Sequence, residues 1–205
     1  MKVVIACEES QAICKAFLEA GHDAYSADLQ ECSGGMPERH IQGDVLKILH
    51  RGWDLMIAHP PCTYIANSGV KHLYTDPERW IKLFDACEFF TKLLHAPIPK
   101  KAIENPIPHK YALRLIGRSY DQLIQPYHFG VKESKATCLW LEGLNPLINT
   151  TDLKYETDRL PKNEAHKTHY MSPGPERSKE RSKTLAPIAD RMAYLWGSPV
   201  KTQLF

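Results

Sequence analysis

Short, uninterrupted apolar runs alternate along this chain with segments whose apolar residues recur at helical spacing. That alternation restricts the fold more than any other feature. Val3 to Ala6 is a continuous apolar run, as a strand buried on both faces requires. Ala12, Ile13, Ala16, Phe17 and Ala20 then repeat with helical period, and Gly21 supplies a stop. Asp23 to Ala27 reads as a second strand with Asp28 at its end, and Ile41 to Asp44 as a short third. Leu46, Ile48 and Leu49 suit a brief helix, and Leu55 to Ala58 is a fourth buried strand. Asp76 and Pro77 start a long helix whose apolar face is Trp80, Leu83, Phe84, Cys87, Phe90 and Leu94; Pro97 and Pro99 end it. Lys101 to Glu104 is a fifth strand. Ala136 to Leu141 pairs as a hairpin with Leu123 to Gln125, and a last helix spans about Thr184 to Trp196. Strands alternating with helices predict an α/β fold, a doubly wound, mostly parallel sheet with helices on both faces.

With 205 residues, 43% of them hydrophobic and 24% charged, the chain suits one domain, 1–205. A polar, proline-containing excursion runs through about 142–183. The formal net charge of +2 neither demands nor excludes nucleic acid, so any such surface must be local. The six cysteines, at 7, 14, 32, 62, 87 and 138, include no CxxC pair, so no metal knuckle or dithiol is expected. No stretch approaches the roughly 20 apolar residues of a membrane span. Free thiols in a cytoplasmic, reducing location are the expectation.

In doubly wound sheets, ligands bind beyond the carboxyl ends of the strands. Cys7, Asp28, Asp44, Cys62 and Glu104 all fall at or just past such ends, which predicts one shared site. Its sharpest element is His59-Pro60-Pro61-Cys62. Two prolines after a buried strand fix the backbone and aim the next side chain from the sheet edge. A cysteine held there is a pre-positioned nucleophile if its thiolate is stabilised; the alternative is a buried structural cysteine in a proline turn.

Pro60-Pro61-Cys62 with Ser68-Gly69 resembles the catalytic loop of the cytosine-5 DNA methyltransferases. Glu104-Asn105-Pro106 is similar to that family's ENV motif, and Gln42-Gly43-Asp44-Val45 to its GDI segment. Phe129-Gly130-Val131 with the strand Ala136 to Leu141 looks like its YGVPQxRxR segment, and Ala186 to Gly197 like its closing motif. The matches run through most of the chain in the family's order. The resemblance implies a class I methyltransferase-like Rossmann fold and transfer of a methyl group from S-adenosyl-L-methionine to C5 of cytosine, in DNA or a cytosine nucleotide. Cys62 would add to C6 of the ring, making C5 nucleophilic, while Glu104 would meet the N3 and amine edge. Lys135 stands where the family's first arginine stands, and Thr137 where the second does. Cys7, Glu8 and Pro60 would border the donor. Asp28 would suit its ribose and Asp44 its adenine, the alternative for both aspartates being a turn or N-cap role. Ser68 would lie against the nucleic acid.

The family's first motif is glycine-rich, whereas this chain reads Ala6-Cys7-Glu8-Glu9-Ser10-Gln11 there. That departure keeps two other readings open: pyrimidine chemistry on the same scaffold without this donor, and a catalytically silent nucleic-acid-binding protein. His59 precedes the prolines where adenine-N6 methyltransferases carry Asp, Asn or Ser. Cys62 replaces the aromatic residue of that motif, which argues against amino methylation. His59 itself is a candidate partner for cysteine or substrate, or a turn residue. Arg177, Lys179, Arg181 and Lys183 form a basic cluster suited to phosphates, interleaved with Glu176 and Glu180 as in a solvated charge run. His166, His169 and Tyr170 lie near it, for nucleotide contact or for loop packing.

Overall fold

The structure is a computed structural model that describes residues 1–172 and 177–198. Its strands are β1 (Lys2–Ala6), β2 (Asp23–Asp28), β3 (His40–Gln42), β4 (Leu55–Ala58), β5 (Lys100–Pro106), β6 (Gln122–Ile124) and β7 (Thr137–Glu142). They form one sheet in the order β3-β2-β1-β4-β5-β7-β6. The pairings among β1 to β5 are parallel, and β7 runs antiparallel to both β5 and β6. The helices are α1 (Ala12–Glu19), α2 (Glu78–Leu94), α3 (Lys110–Ile116), four short ones, α4 (Lys154–Asp158), α5 (Lys162–Ala165), α6 (Lys167–Tyr170) and α7 (Arg177–Ser182), and α8 (Ala186–Gly197). Among the described residues, no helix is long and apolar enough to cross a membrane.

The central strands are buried on both faces, which explains their unbroken apolar runs. Alternate residues divide between two cores. Val3, Ile5, Leu55 and Ile57 pack with Ile13 and Phe17 of α1 and with Ile188, Met192 and Trp196 of α8. Val4, Ala6, Met56 and Ala58 pack with Leu83, Cys87 and Phe90 of α2 and with Ala112 and Ile116 of α3. Helices thus cover both faces, and the strand order with its reversed β7 is that of a class I methyltransferase-like Rossmann fold.

Several boundaries differ from the sequence reading. The third strand spans His40–Gln42, so Gly43 and Asp44 lie beyond it; Gly43 is held by its N–H donating to the Asp28 carbonyl at 2.7 Å. Phe84 is 53% exposed, because the buried stripe of α2 runs through Leu83, Cys87, Phe90, Leu93 and Leu94. α3 is an additional helix, capped by the His109 ring, which accepts from Ala112 N–H at 3.1 Å. The excursion at 142–183 is less irregular than its composition suggests, since it contains the four short helices. Glu176 lies outside the described residues.

Phe90 meets Trp140 edge-on, with ring centroids 4.8 Å apart, between α2 and β7. Both are buried, so Phe90→Ala leaves a cavity at the junction of helix layer and sheet. The expected cost is about 3–5 kcal/mol. Urea unfolding checks it, with a lower midpoint at unchanged slope.

Candidate active site

β1 and β4 end level with each other, while β5 runs on to Pro106, three residues beyond Ile103, so Glu104 lies within β5 and not, as the sequence predicts, at its end. Ala6 is in register with Ala58, and Ala58 with Ile103, so the next residues along are Cys7, His59 and Glu104. His59 N–H extends the ladder by donating to the Ala6 carbonyl at 2.9 Å. A cleft of about 1040 Å³ opens over these ends. Cys7, Glu8, Asp28, Asp44, His59, Pro60, Cys62, Ser68, Glu104, Lys135, Arg177 and Arg181 all line it. Lys183 is not among its lining residues. Its ammonium pairs with Glu180 at 2.5 Å, so the predicted phosphate contact is not part of this cleft.

The catalytic-type loop is held from both sides. Pro60 and Pro61 lack N–H groups and fix the exit from β4. The Pro60 carbonyl accepts from Asn105 Nδ2 at 2.8 Å, a buried bond that ties the β4 exit to β5. Beyond Cys62 the chain turns sharply, with Ile65 and Ala66 N–H donating back to the Cys62 carbonyl at 3.1 and 2.8 Å. It is then stitched to the segment after β5. Asn67 N–H donates to Ile107, His109 N–H donates to Ile65, and Ala66 bridges Pro108. Cys62 itself remains exposed. Asn105 had no role in the sequence reading beyond its place in the Glu104-Asn105-Pro106 motif, because its partner lies 45 residues away.

The glycine-free first loop does not close the cleft. Cys7 and Gln11 both take φ of 59°, left-handed values that a glycine would adopt without cost. Both glutamates are engaged within the protein. Glu8 accepts from the N–H groups of Ile13 and Cys14 at the start of α1, at 2.7 and 3.2 Å, and so caps a helix that Gln11 does not cap. Glu9 bonds the Ser33 hydroxyl, and its carbonyl accepts from Ser33 N–H at 2.9 Å. Its Oε1 is buried without a partner. The fully buried Gln11 amide clasps Met36 from both sides, donating to its carbonyl at 2.8 Å and accepting from its N–H at 3.0 Å. No local sequence pattern pointed to that clasp.

The aspartates serve partly as the turn residues of the alternative reading. Asp28 Oδ1 accepts from Gln30 N–H at 2.9 Å, and Asp44 Oδ1 from Leu46 N–H at 3.0 Å. Only one oxygen of each is used in this way. At the other end, Lys135 donates to the carbonyls of Arg181 and Lys183 at 2.8 and 3.3 Å. Its ammonium therefore secures the end of α7 beside the cleft that Lys135 also lines. Ser134 N–H donates to Ala165, and Glu133 bonds the Thr168 hydroxyl, so residues of 166–169 and 177–184 roof the cleft. His166 and His169 line it, whereas Tyr170 is exposed outside it.

His59 Nδ1 lies 3.0 Å from Glu104 Oε2, with the side chains only 9% and 19% exposed. Burial works against charge on His59. The hydrogen bond and charge of Glu104, with the charge of Glu8, outweigh it and hold the imidazole above its ordinary pKa. Burial likewise favours a neutral Glu104, but His59, then Lys135 and Thr137, outweigh it and hold the carboxyl below its usual range. Each partner thus favours the charged form of the other. The surroundings of the Cys62 thiol, and next the Glu104 charge, push its pKa up, while Arg181 and Lys135 pull it down. Burial and the charges of Asp28 and Asp44 push Cys7 up to about 12, so Cys7 is a poor nucleophile.

No family model and no curated protein matches the sequence. Among solved structures, the chain is similar to a protein assigned as a DNA modification methyltransferase and encoded within an E. coli prophage. The identity is 15% and the TM-score 0.45, over 79% of this chain and 56% of that one. It is also similar to the Entamoeba histolytica methyltransferase EhMeth, at 14% identity and TM-score 0.48, over 74% and 57% of the two chains. A variant of Spodoptera frugiperda DNMT2 is similar at 15% identity and TM-score 0.38, over 69% and 49%. The chain spans about half the length of these proteins.

The His59–Glu104 pair gives stability a defined pH dependence. Glu104, with its lowered pKa, stabilises the fold above the carboxylate range, and this contribution is lost as pH falls through its folded pKa. His59, with its raised pKa, stabilises the fold below the ordinary histidine value, and this is lost as pH rises through its folded pKa. The pair therefore contributes most between about pH 4.5 and 6.5. Glu104→Gln is expected to lose about 1–3 kcal/mol in that window. The deficit should narrow towards alkaline pH, as urea unfolding at a series of pH values would show.

Proposed function

We propose that this chain is a single methyltransferase-like catalytic domain. In this reading it transfers a methyl group from S-adenosyl-L-methionine to C5 of cytosine, in DNA or in a cytosine nucleotide, through a covalent Cys62 adduct. The observation that carries the proposal is the shared cleft of Cys62 and Glu104. An exposed nucleophile on a rigid loop after β4 and a partly buried carboxylate on the adjacent β5 face one cleft, their strands joined by the Asn105–Pro60 hydrogen bond. A ring entering between them would meet sulfur at C6 and the carboxyl group at its N3 edge. Adduct formation moves electron density towards N3 and C5, and stabilisation at N3 is what makes C5 nucleophilic.

The donor end fits the proposed cofactor. The backbone takes a left-handed turn at Cys7, the carboxylates of Glu8 and Glu9 are engaged by Ile13, Cys14 and Ser33, and one oxygen each of Asp28 and Asp44 remains for ribose hydroxyls and the adenine amine. Pro60 and Cys7, which also line the cleft, would border the bound donor. Bound there, the donor supplies an electrophilic methyl group. The basic residues Arg177 and Arg181, with Ser68 across the cleft, suit a phosphate-bearing substrate.

Mass spectrometry of cytosine-containing DNA and of cytosine nucleotides, incubated with the protein and methyl-labelled donor, tests the activity and separates polymer from monomer. Cys62→Ala is expected to abolish transfer, and label appearing at C5 with that variant would sink the adduct. Asp28→Ala should leave kcat near wild type and raise the donor KM about tenfold, the loss of one charge-assisted contact pair. No heat on titrating the wild type with millimolar donor would refute the cofactor assignment.

A further inference from the structure

The residue ahead of the two prolines has no counterpart in the mechanism above, yet its side chain is closely held within the site. His59 is held by its backbone on the end of β1 and by its ring on Glu104, and 91% of its side chain is removed from solvent. The charged groups around it come from each neighbouring element. Glu104 faces it from β5, Glu8 from the loop after β1, and Lys135 from the approach to β7. Its Nε2 is buried without a hydrogen-bond partner. A side chain serving only to fill the turn would gain nothing from an imidazole so placed, because leaving a buried N–H unpaired is costly.

We propose that His59 is the proton reservoir for Glu104, a positioning residue that stores at Nδ1 the proton Glu104 delivers to the substrate ring. The proposal rests on the cytosine reading of the site. As the Cys62 thiolate forms its bond to C6, the C5–C6 π pair is displaced and N3 becomes basic. The proton leaves His59 Nδ1, crosses to Glu104 Oε2 over 3.0 Å, and is delivered by that carboxyl group to N3. Thiolate, neutral ring and imidazolium become a neutral N3-protonated adduct and a neutral imidazole, so charge balances. C5 then takes the methyl group, or in its absence a solvent proton, and releases its own hydron to water; as sulfur leaves C6 the N3 proton returns along the same path and restores the imidazolium. The depressed carboxyl of Glu104 is poorly suited to hold that proton alone between turnovers.

The route predicts a particular pH profile. Adduct formation needs the stored proton and the thiolate together. In the wild type the proton is present up to the raised His59 value, so the rate climbs with pH towards that value as thiolate accumulates. In His59→Asn, an amide N–H still reaches Glu104 but cannot ionise, and the proton must sit on the carboxyl group. Its loss with rising pH then cancels the gain in thiolate, and the profile is flat between about pH 6 and 8.

Exchange of tritium from C5 of labelled dCMP, or of a labelled cytosine oligonucleotide, reads Cys62 addition without any methyl donor. The expected result is a climbing profile for wild type and a flat one for His59→Asn, with the variant's rate lower on the order of 10²-fold at pH 7. Nitrogen-15 NMR of the free protein supplies an arm independent of substrate and of the variant's folding. His59 should be an imidazolium at neutral pH in wild type and lose that character in Glu104→Gln. A neutral His59 ring in the wild type overturns the proposal whatever the cleft binds. Exchange with the same climbing profile in His59→Asn overturns it while leaving the cytosine reading intact. No exchange by wild type on either substrate, with the ring charged, overturns the cytosine reading and the proton route with it.

Discussion

The parallel register of β1, β4 and β5 is the constraint on which the site depends. Because Ala6, Ala58 and Ile103 stand level, the three strands deliver Cys7, His59 and Glu104 to one row. A one-residue slip of β4 would move its apolar set from one helix layer to the other and withdraw His59 from Glu104 at once. The slip is prevented by packing, since Met56 and Ala58 face α2 while Leu55 and Ile57 face α1 and α8, all without exposure. Burial of the central strands therefore sets the geometry of the polar site above them. The side-chain bonds of the site, Asn105 to Pro60 and His59 to Glu104, join elements whose relative positions the core has already settled.

What the sequence made legible follows from the same physics. Residues 3–6 and 55–58 could be read as buried strands because a strand covered on both faces must be apolar throughout, and the prolines after residue 58 mark where it ends. The site row was legible because ligand-facing residues gather at carboxyl ends. The pairings within that row were not. His59 and Glu104 are 45 positions apart, as are Asn105 and Pro60, and no local period encodes such contacts. α3 was missed because only two of its seven residues are buried, which leaves almost no amphipathic signal. Phe84 was assigned to the buried stripe from its spacing, but it lies to one side of the line through Leu83, Cys87 and Phe90. The roof over the cleft was illegible for a further reason. It is held by backbone carbonyls of residues 165, 181 and 183, and a carbonyl carries no sequence signature.

The first loop shows how a missing glycine can be replaced. Left-handed backbone at a residue with a Cβ costs about 1–2 kcal/mol, and this chain accepts it at both Cys7 and Gln11. Compensation is visible nearby. Glu8 satisfies two N–H groups at the start of α1, and Gln11 makes a two-way bond to Met36 that fixes the loop after β2. That loop comes so close that a Cβ on Gly34 would stand 2.5 Å from Gln11 Cβ. The close approach thus requires a glycine in the facing loop, which a scan of residues 6–11 alone cannot find.

The cleft also carries a gradient of charge that bears on its nucleophile. The carboxylates of Asp28 and Asp44 act on Cys7, whereas the cations Arg181 and Lys135 act on Cys62. Cys62 lies where these fields oppose each other. Glu104 makes its thiolate less stable, and Arg181 and Lys135 make it more stable. Any event that removes the Glu104 charge frees the thiolate from its largest electrostatic opponent. On the proposed route, the proton from His59 neutralises Glu104 as sulfur commits to the ring, so nucleophile and acid are activated by one movement of charge. A site built in this way keeps its thiol protonated while empty, which guards an exposed cysteine against adventitious oxidation. The same logic assigns the roof a purpose beyond enclosure: the tether from Lys135 to the end of α7 holds Arg181 close enough to act on Cys62.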